Sequence, residues 1–345
     1  MATYKGIQGY SIRSLSSDPD TLSDVVGQIW YNSSIGKFKL SVQGAAAWSS
    51  GGNLNTPKAA AGCAGVLTAA IVFAGNSVPT FLDETELYDG TTWTETNNLS
   101  TSRREVGTMG TVNTAVVCAG GTKGPPGTQQ KTETWNGTSW TEGNNMQQQR
   151  QAMQGFGTST AGVCAGGIFE VPSYVVYKNV ETYDGTSWTE VNDLNTYQMS
   201  GAGGGSSTAG MVYGGFDDNS PPWTPTANVQ HYDGTCWTEG NNLSSTISFN
   251  SGFGGPTAAV SLGGGPPAQP PGVGAVTAIE VYDGTSWASG TAMTTARRTG
   301  MGNSTGNGSI ATGLGCGGYD PSANAINATE EYANAPVTAK TVTVS

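Results

Sequence analysis

One six-residue phrase, Tyr-Asp-Gly-Thr-x-Trp, recurs along this chain at an almost constant interval. Four copies keep that form, at Tyr88–Trp93, Tyr183–Trp188, Tyr232–Trp237 and Tyr282–Trp287, and a fifth reads Trp135-Asn136-Gly137-Thr138-Ser139-Trp140. The leading aromatics, at 88, 135, 183, 232 and 282, lie 47 to 50 residues apart, and a degenerate sixth copy stands at Tyr332. A period near fifty restricts the fold to an array of small repeated units. One such unit cannot bury its apolar face alone and must stack on its neighbours.

Each repeat carries four pieces. A Gly-rich run such as Gly107-Thr108-Met109-Gly110 comes first. An apolar run ending in double glycine follows, as in Ala115-Val116-Val117-Cys118-Ala119-Gly120-Gly121. Equivalent ends are read at Gly75-Asn76, Gly166-Gly167, Gly214-Gly215, Gly263-Gly264 and Gly317-Gly318. A third run, for example Val180-Glu181-Thr182-Tyr183, turns through Asp184-Gly185 into a fourth, Ser187-Trp188-Thr189-Glu190. Asp-Gly between alternating runs predicts a type I′ hairpin with positive φ at both central residues. Four short antiparallel strands per repeat, without helical periodicity, predict an all-β, six-bladed β-propeller. With 52 glycines and 36% hydrophobic residues, the chain is better suited to stacked thin sheets than to one large core.

The last repeat lacks a Trp-bearing fourth strand, whereas Ala46-Ala47-Trp48-Ser49-Ser50 forms an orphan one upstream. The N-terminal strand is therefore expected to complete the sixth blade and leave no free sheet edge. Double glycine after the second strand, followed by a spaced Tyr and Trp, resembles the kelch repeat of β-propellers over residues 46–335. Residues 1–45 fall outside the repeat, and 336–345 are expected to be a C-terminal strand or tail.

Only 11% of residues are charged and the net charge is −11, which argues against nucleic-acid binding because phosphate recognition needs a basic face. No apolar run approaches a membrane span. The opening Met-Ala-Thr-Tyr-Lys-Gly lacks the apolar stretch of a secretory signal, so synthesis in the cytoplasm is expected. Five cysteines without paired spacing read as buried free thiols. With His231 alone, no metal site or cofactor is expected.

In residues 1–45, Gly27-Gln28-Ile29-Trp30-Tyr31-Asn32, a Ser33–Gly36 turn and Lys37-Phe38-Lys39-Leu40 read as a β-hairpin. With Ser17-Asp18-Pro19 ahead of it, the phrase resembles the hairpin near the start of tailed-phage virion proteins, particularly tail fibres and appendages of marine phages. The resemblance implies a virion structural protein whose first 45 residues dock to other virion proteins, with homo-oligomers a further expectation. Accessory packing of the hairpin is the competing reading.

Two groups of candidate site residues emerge. Four residues past the apolar residue of each Asn-Leu-like step stand Lys58, Arg103, Arg150, Gln198, Ile247 and Arg297. Four cations at one equivalent position, just before the first strand, are expected to form a collar at the channel mouth that attracts carboxylated or phosphorylated ligands. The competing expectation pairs Glu95 with Arg103 and Glu142 with Arg150 across neighbouring blades, at about 0–1 kcal/mol each. The second group lies on the divergent loops between second and third strands: Tyr174, Phe216, Asp217, Asp218 and Trp223, with the Pro-rich loop Gly265–Pro271 beside them. Aromatic faces with carboxylates suit a host-surface glycan or protein receptor. The alternative folds these aromatics back onto blade edges.

The expected function is a virion adhesin. A virion scaffold or decoration protein is the alternative, and a glycan-processing enzyme a third reading. Catalysis is not expected: the copper site of galactose-oxidase-type propellers needs two histidines, and the Asp-Gly-Thr-x-Trp phrase lacks the spacing of a sialidase Asp-box.

Overall fold

The computed structural model describes residues 12–20, 27–124, 127–170, 174–219, 221–265, 274–302, 310–334 and 337–343. The first eleven residues and residues 266–271 of the Pro-rich loop lie outside them. All regular structure among the described residues is β. The chain divides into two compact units, one of Met1–Ala47 with Asn334–Ser345 and one of Trp48–Ala333.

In the second unit, six four-stranded antiparallel sheets follow the sequence repeat. Sheet I runs Gly62–Val66, Ala69–Phe73, Thr85–Tyr88, Trp93–Thr96. Sheets II to V begin at Gly107, Gln154, Ala202 and Ser251 and repeat that order. Sheet VI joins Met301–Gly302, Thr312–Cys316 and Thr329–Ala333 to Ala47–Ser50, the strand from the far end of the chain. The architecture is all-β and propeller-like.

The repeated phrase closes the outer hairpin, with Trp93 opposite Tyr88 and Trp188 opposite Tyr183. The turn departs from type I′. Only its glycine has positive φ (Gly185, 94°), and Asp184 Oδ1 accepts the N–H groups of Thr186 and Ser187 at 2.8 and 2.7 Å. A four-residue loop held by an Asx side chain thus replaces the two-residue turn. Asn144 of the preceding repeat donates to Thr186 O at 2.9 Å, linking that loop to sheet II.

The core lies between sheets. Met109 and Val117 of sheet II pack on Cys164, Tyr183 and Trp188 of sheet III, and Phe156 and Val163 of sheet III on Val212, Tyr232 and Trp237 of sheet IV. Val72, Tyr88 and Trp93 of sheet I pack on Leu314 and Cys316 of sheet VI. Tyr–Trp pairs such as Tyr232 and Trp237, stacked at 4.8 Å, add about 0.5–1.5 kcal/mol beyond area burial.

Double glycine is required where sheets meet. Gly166 and Gly167 have φ of 62° and 96°, and a Cβ on Gly166 would lie 2.1 Å from the carbonyl oxygen of Gln198 in the next repeat. In sheet I the pair with positive φ is Ala74-Gly75, not Gly75-Asn76, so the motif read from the sequence shifts there by one residue.

Two sets of backbone hydrogen bonds run from sheet to sheet and return to their start. Gly75, Gly121, Gly167, Gly215, Gly264 and Gly318 donate respectively to the carbonyls of Arg103, Arg150, Gln198, Ile247, Arg297 and Lys58. The second set links Ala60, Glu105, Ala152, Ser200, Phe249 and Thr299, each donating to the one before it, with Ala60 donating to Thr299 at 2.9 Å. All six have left-handed backbone, φ 46–57°.

The first unit pairs Arg13–Leu15, Ile29–Asn32, Lys37–Gln43 and Val337–Thr341 in that order. Ile29–Asn32 and Lys37–Gln43 form the hairpin, and the C-terminal Val337–Thr341 lies antiparallel beside it. Trp30 Nε1 and Asn32 Nδ2 donate to Asp18 at 3.1 and 2.9 Å.

Candidate functional site: the channel mouth and its loop face

First-strand residues of the six sheets border a common cavity in the second unit. That cavity, of about 140 Å³, is bounded by residues such as Cys63, Thr108, Gln154, Gly203 and Ser251. A second cavity, of about 100 Å³, is lined by the six left-handed residues, Ala60, Glu105, Ala152, Ser200, Phe249 and Thr299.

The cationic collar is not there. Lys58, Arg103, Arg150 and Arg297 are fully buried, each against a glutamate on the third strand of its own sheet. Lys58 meets Glu86 at 2.9 Å, Arg103 meets Glu133 at 2.7 Å, Arg297 meets Glu330 at 2.9 Å, and Arg150 pairs with Glu181. Each guanidinium also donates to two carbonyls; Arg103 reaches Gly120 O at 3.2 Å and Lys131 O at 2.9 Å. The second carboxylate oxygen takes a backbone N–H from the Asn-Leu step, as Ser100 gives Glu133 at 2.8 Å. These four cations therefore fasten the 4→1 connection onto the sheet and are not ligand groups. The alternative pairing with Glu95 and Glu142 also fails, since Glu142 lies on the exposed outer strand, 3.5 Å from Lys131.

The repeat varies at this position as a pair. Sheet IV has Gln198 and Gln230, with Gln230 Nε2 donating to Gln198 Oε1 at 3.1 Å. In sheet V Ile247 has no charge to offer, and Glu280 is half-exposed, still accepting from the N–H of Ser244 and Ser245.

Of the loop candidates, Phe216 is core: it is 1% exposed and packs with Ile168, Val176 and Met199. Asp217 accepts from Thr226 Oγ1 at 2.9 Å and Asn228 Nδ2 at 2.8 Å, and Asp218 from Thr224 N at 2.6 Å. Both carboxylates hold their own loop. Tyr174 is half-exposed and meets the partly buried Trp223 edge-on at 5.3 Å, so these two remain at the surface as a pair from different loops. Val171–Ser173, Ser220 and Pro266–Pro271 lie outside the described residues.

The residues that sequence analysis missed stand one and two places after the buried cations. Arg104 lies over Phe81 at 5.4 Å, with Nε 3.4 Å from Glu105 Oε1. Arg298, 6% exposed, lies over Tyr319 at 5.0 Å and Phe249 at 6.0 Å. Burial pushes the Glu105 carboxyl up, against the pull of Arg104, and lowers the Arg298 pKa. Extending the repeat alignment past Arg103 and Arg297 would have reached them. No cluster of three or more His, Cys, Asp or Glu able to hold a metal occurs among the described residues.

No protein-family model and no curated protein matches this sequence. Solved structures do match by fold. The chain is similar to the structure of YjhT at a TM-score of 0.64 and 15% identity, over 80% of this chain and 95% of that one. At that identity the likeness concerns the fold alone.

Proposed function

We propose that this chain is a virion structural protein of a tailed phage, an appendage adhesin whose propeller binds a host-surface glycan or receptor through its loop face. The scaffold in this reading is a six-bladed, kelch-like β-propeller closed by Ala47–Ser50. Closure is supported by the two returning sets of hydrogen bonds and by Trp93 Nε1, which donates to Thr329 Oγ1 at 3.0 Å between sheets I and VI. A rigid repeated frame carrying dissimilar loops is the usual arrangement of a recognition surface.

The observation that carries the binding reading is the Tyr174–Trp223 pair, held at the surface by loops of sheets III and IV. Docking through the first 45 residues is supported by the hairpin phrase and by Ile29 and Phe38, 47% and 45% exposed on the first unit's sheet. The test is capture of host cells by the full chain. Tyr174→Ala with Trp223→Ala should abolish capture while leaving the melting temperature within a few degrees of the parent. Capture unaffected by both changes would move recognition elsewhere, and absence of capture would favour a particle-internal partner.

A further inference from the structure

The two units carry opposite charge. The unit of Met1–Ala47 with Asn334–Ser345 holds five lysines and arginines against three aspartates, whereas Trp48–Ala333 holds nine against 22 carboxylates. Exposed strand edges follow the same division. The outer strands of sheets I to IV carry Glu95, Glu142, Glu190 and Glu239, all exposed. Such charges keep sheet edges from pairing with one another.

The edge strand Val337–Thr341 of the first unit has no carboxylate, and its one charge is Lys340. It pairs on one side only, with Lys37–Gln43. Lys340 stands opposite Leu40, and Val342 N donates to Phe38 O at 2.9 Å. Backbone groups alternate along an antiparallel strand, so the N–H and C=O of Ala339 and Thr341 point away from Lys37–Gln43. Among the described residues nothing meets them. Thr338, Lys340, Thr341 and Thr343 are exposed, and six of residues 337–345 are valine or threonine, which favour extended chain. The register sets Val342 beside Phe38, on the face shared by Ile29, Tyr31 and Leu40. Ile29, Phe38 and Val342 are all exposed, so the open edge borders an uncovered apolar face.

We infer that Val337–Thr341 takes up an extended acidic segment of another virion protein as a fifth strand of this sheet, with a carboxylate against Lys340 and an apolar side chain against Val342. Main-chain hydrogen bonds to Ala339 and Thr341 supply the affinity, and the side chains supply the selectivity. Opposite charge favours the acidic segment over a second copy of this edge, which brings lysines of its own. The inference rests on the docking part of the proposed function and gives the docking partner its chemistry.

The test is fluorescence anisotropy of the full chain with labelled strand peptides of alternating valine and threonine, one with glutamates interspersed and one with lysines. The glutamate peptide is expected to bind about tenfold more tightly than the lysine peptide, and Lys340→Glu to invert that order. Ala339→Pro removes an outward N–H and keeps the bonds to Lys37–Gln43, so it should abolish binding while the melting temperature stays within a few degrees of the parent. Should it fail to fold, the inversion in Lys340→Glu decides alone. Equal binding of the two peptides, or binding of neither, overturns the inference. Self-association in sedimentation velocity that is lost in Ala339→Pro overturns it in favour of a second copy on the same edge. Cell capture is measured on the same preparations. Capture without peptide binding leaves the adhesin reading standing, and peptide binding without capture removes that reading alone.

Discussion

Gln230 donates to Gln198 at 3.1 Å in sheet IV, at the place where sheet III joins Arg150 to Glu181. The neutral pair keeps the backbone contacts of the charged one: Gln198 Nε2 reaches Gly214 O at 2.8 Å, and Asn195 N reaches Gln230 Oε1 at 2.8 Å. The fold therefore demands complementarity here, and charge is one way to meet it. Arg150→Gln leaves Glu181 buried without its cation and should lower stability by about 3–5 kcal/mol. Adding Glu181→Gln should recover part of that loss. Urea unfolding of the two single variants and the double variant measures the coupling, and additive losses would contradict it.

Indole N–H groups provide a second case. Trp140 and Trp188 donate to Thr85 and Thr132 Oγ1 at 2.9 and 3.0 Å, on the preceding sheets. Sheets III and IV have Val180 and Val229 at that place, and Trp237 and Trp287 are left with buried, unpartnered Nε1 atoms. Val180→Thr and Val229→Thr should each stabilise the protein by about 1 kcal/mol, and Thr132→Val should destabilise it by about 1–3 kcal/mol. Thermal unfolding of the three variants checks the pattern.

Acid should weaken the protein through the outer turns and through Glu330. Burial alone would raise the Glu330 pKa, but N–H groups of Thr294 and Thr295, the Thr294 hydroxyl and Arg297 hold it below the usual value. Turn N–H groups lower Asp89, Asp184, Asp233 and Asp283. A folded pKa below the unfolded one means stability that is complete above roughly pH 4–5 and lost as pH falls through the folded value. Urea midpoints should decline slightly between about pH 7 and 5, where the partly buried His231 resists protonation, and fall further below that. Asp184→Asn should keep the turn, as Asn136 does by accepting from Thr138 and Ser139 N–H at 2.9 Å, and should flatten part of the slope.

Thiol accessibility separates one cysteine from the rest. Cys236 is exposed, while Cys63, Cys118, Cys164 and Cys316 are buried, with burial pushing Cys118 and Cys164 up to about 12. Iodoacetamide on the native protein near pH 8 should label Cys236 alone, as read by peptide mass. Labelling of Cys118 at a similar rate would mean that sheets I and II separate readily.

The repeat was legible because its residues answer to backbone geometry. Gly166 cannot carry a Cβ, and Asp184 and Trp188 recur wherever an outer hairpin must close and pack. Side-chain direction was not legible. Arg103 sits at the right register for the channel, yet it turns inward because the carbonyls of Gly120 and Lys131 and the carboxylate of Glu133 converge on one point. Spacing along the chain does not reveal that convergence across a sheet.

Sheet VI sets an order of events during synthesis. Ala47–Ser50 leaves the ribosome first, but the strand beside it, Thr329–Ala333, emerges some tens of seconds later at ordinary elongation rates of roughly 5–20 residues per second. Trp48, which donates to Thr291 O across 243 residues of chain, has to wait exposed while five complete sheets form behind it. Until then both edges of the growing stack are open to strands from other nascent chains. The interval in which this protein is most vulnerable to aggregation therefore ends with the arrival of its last repeat.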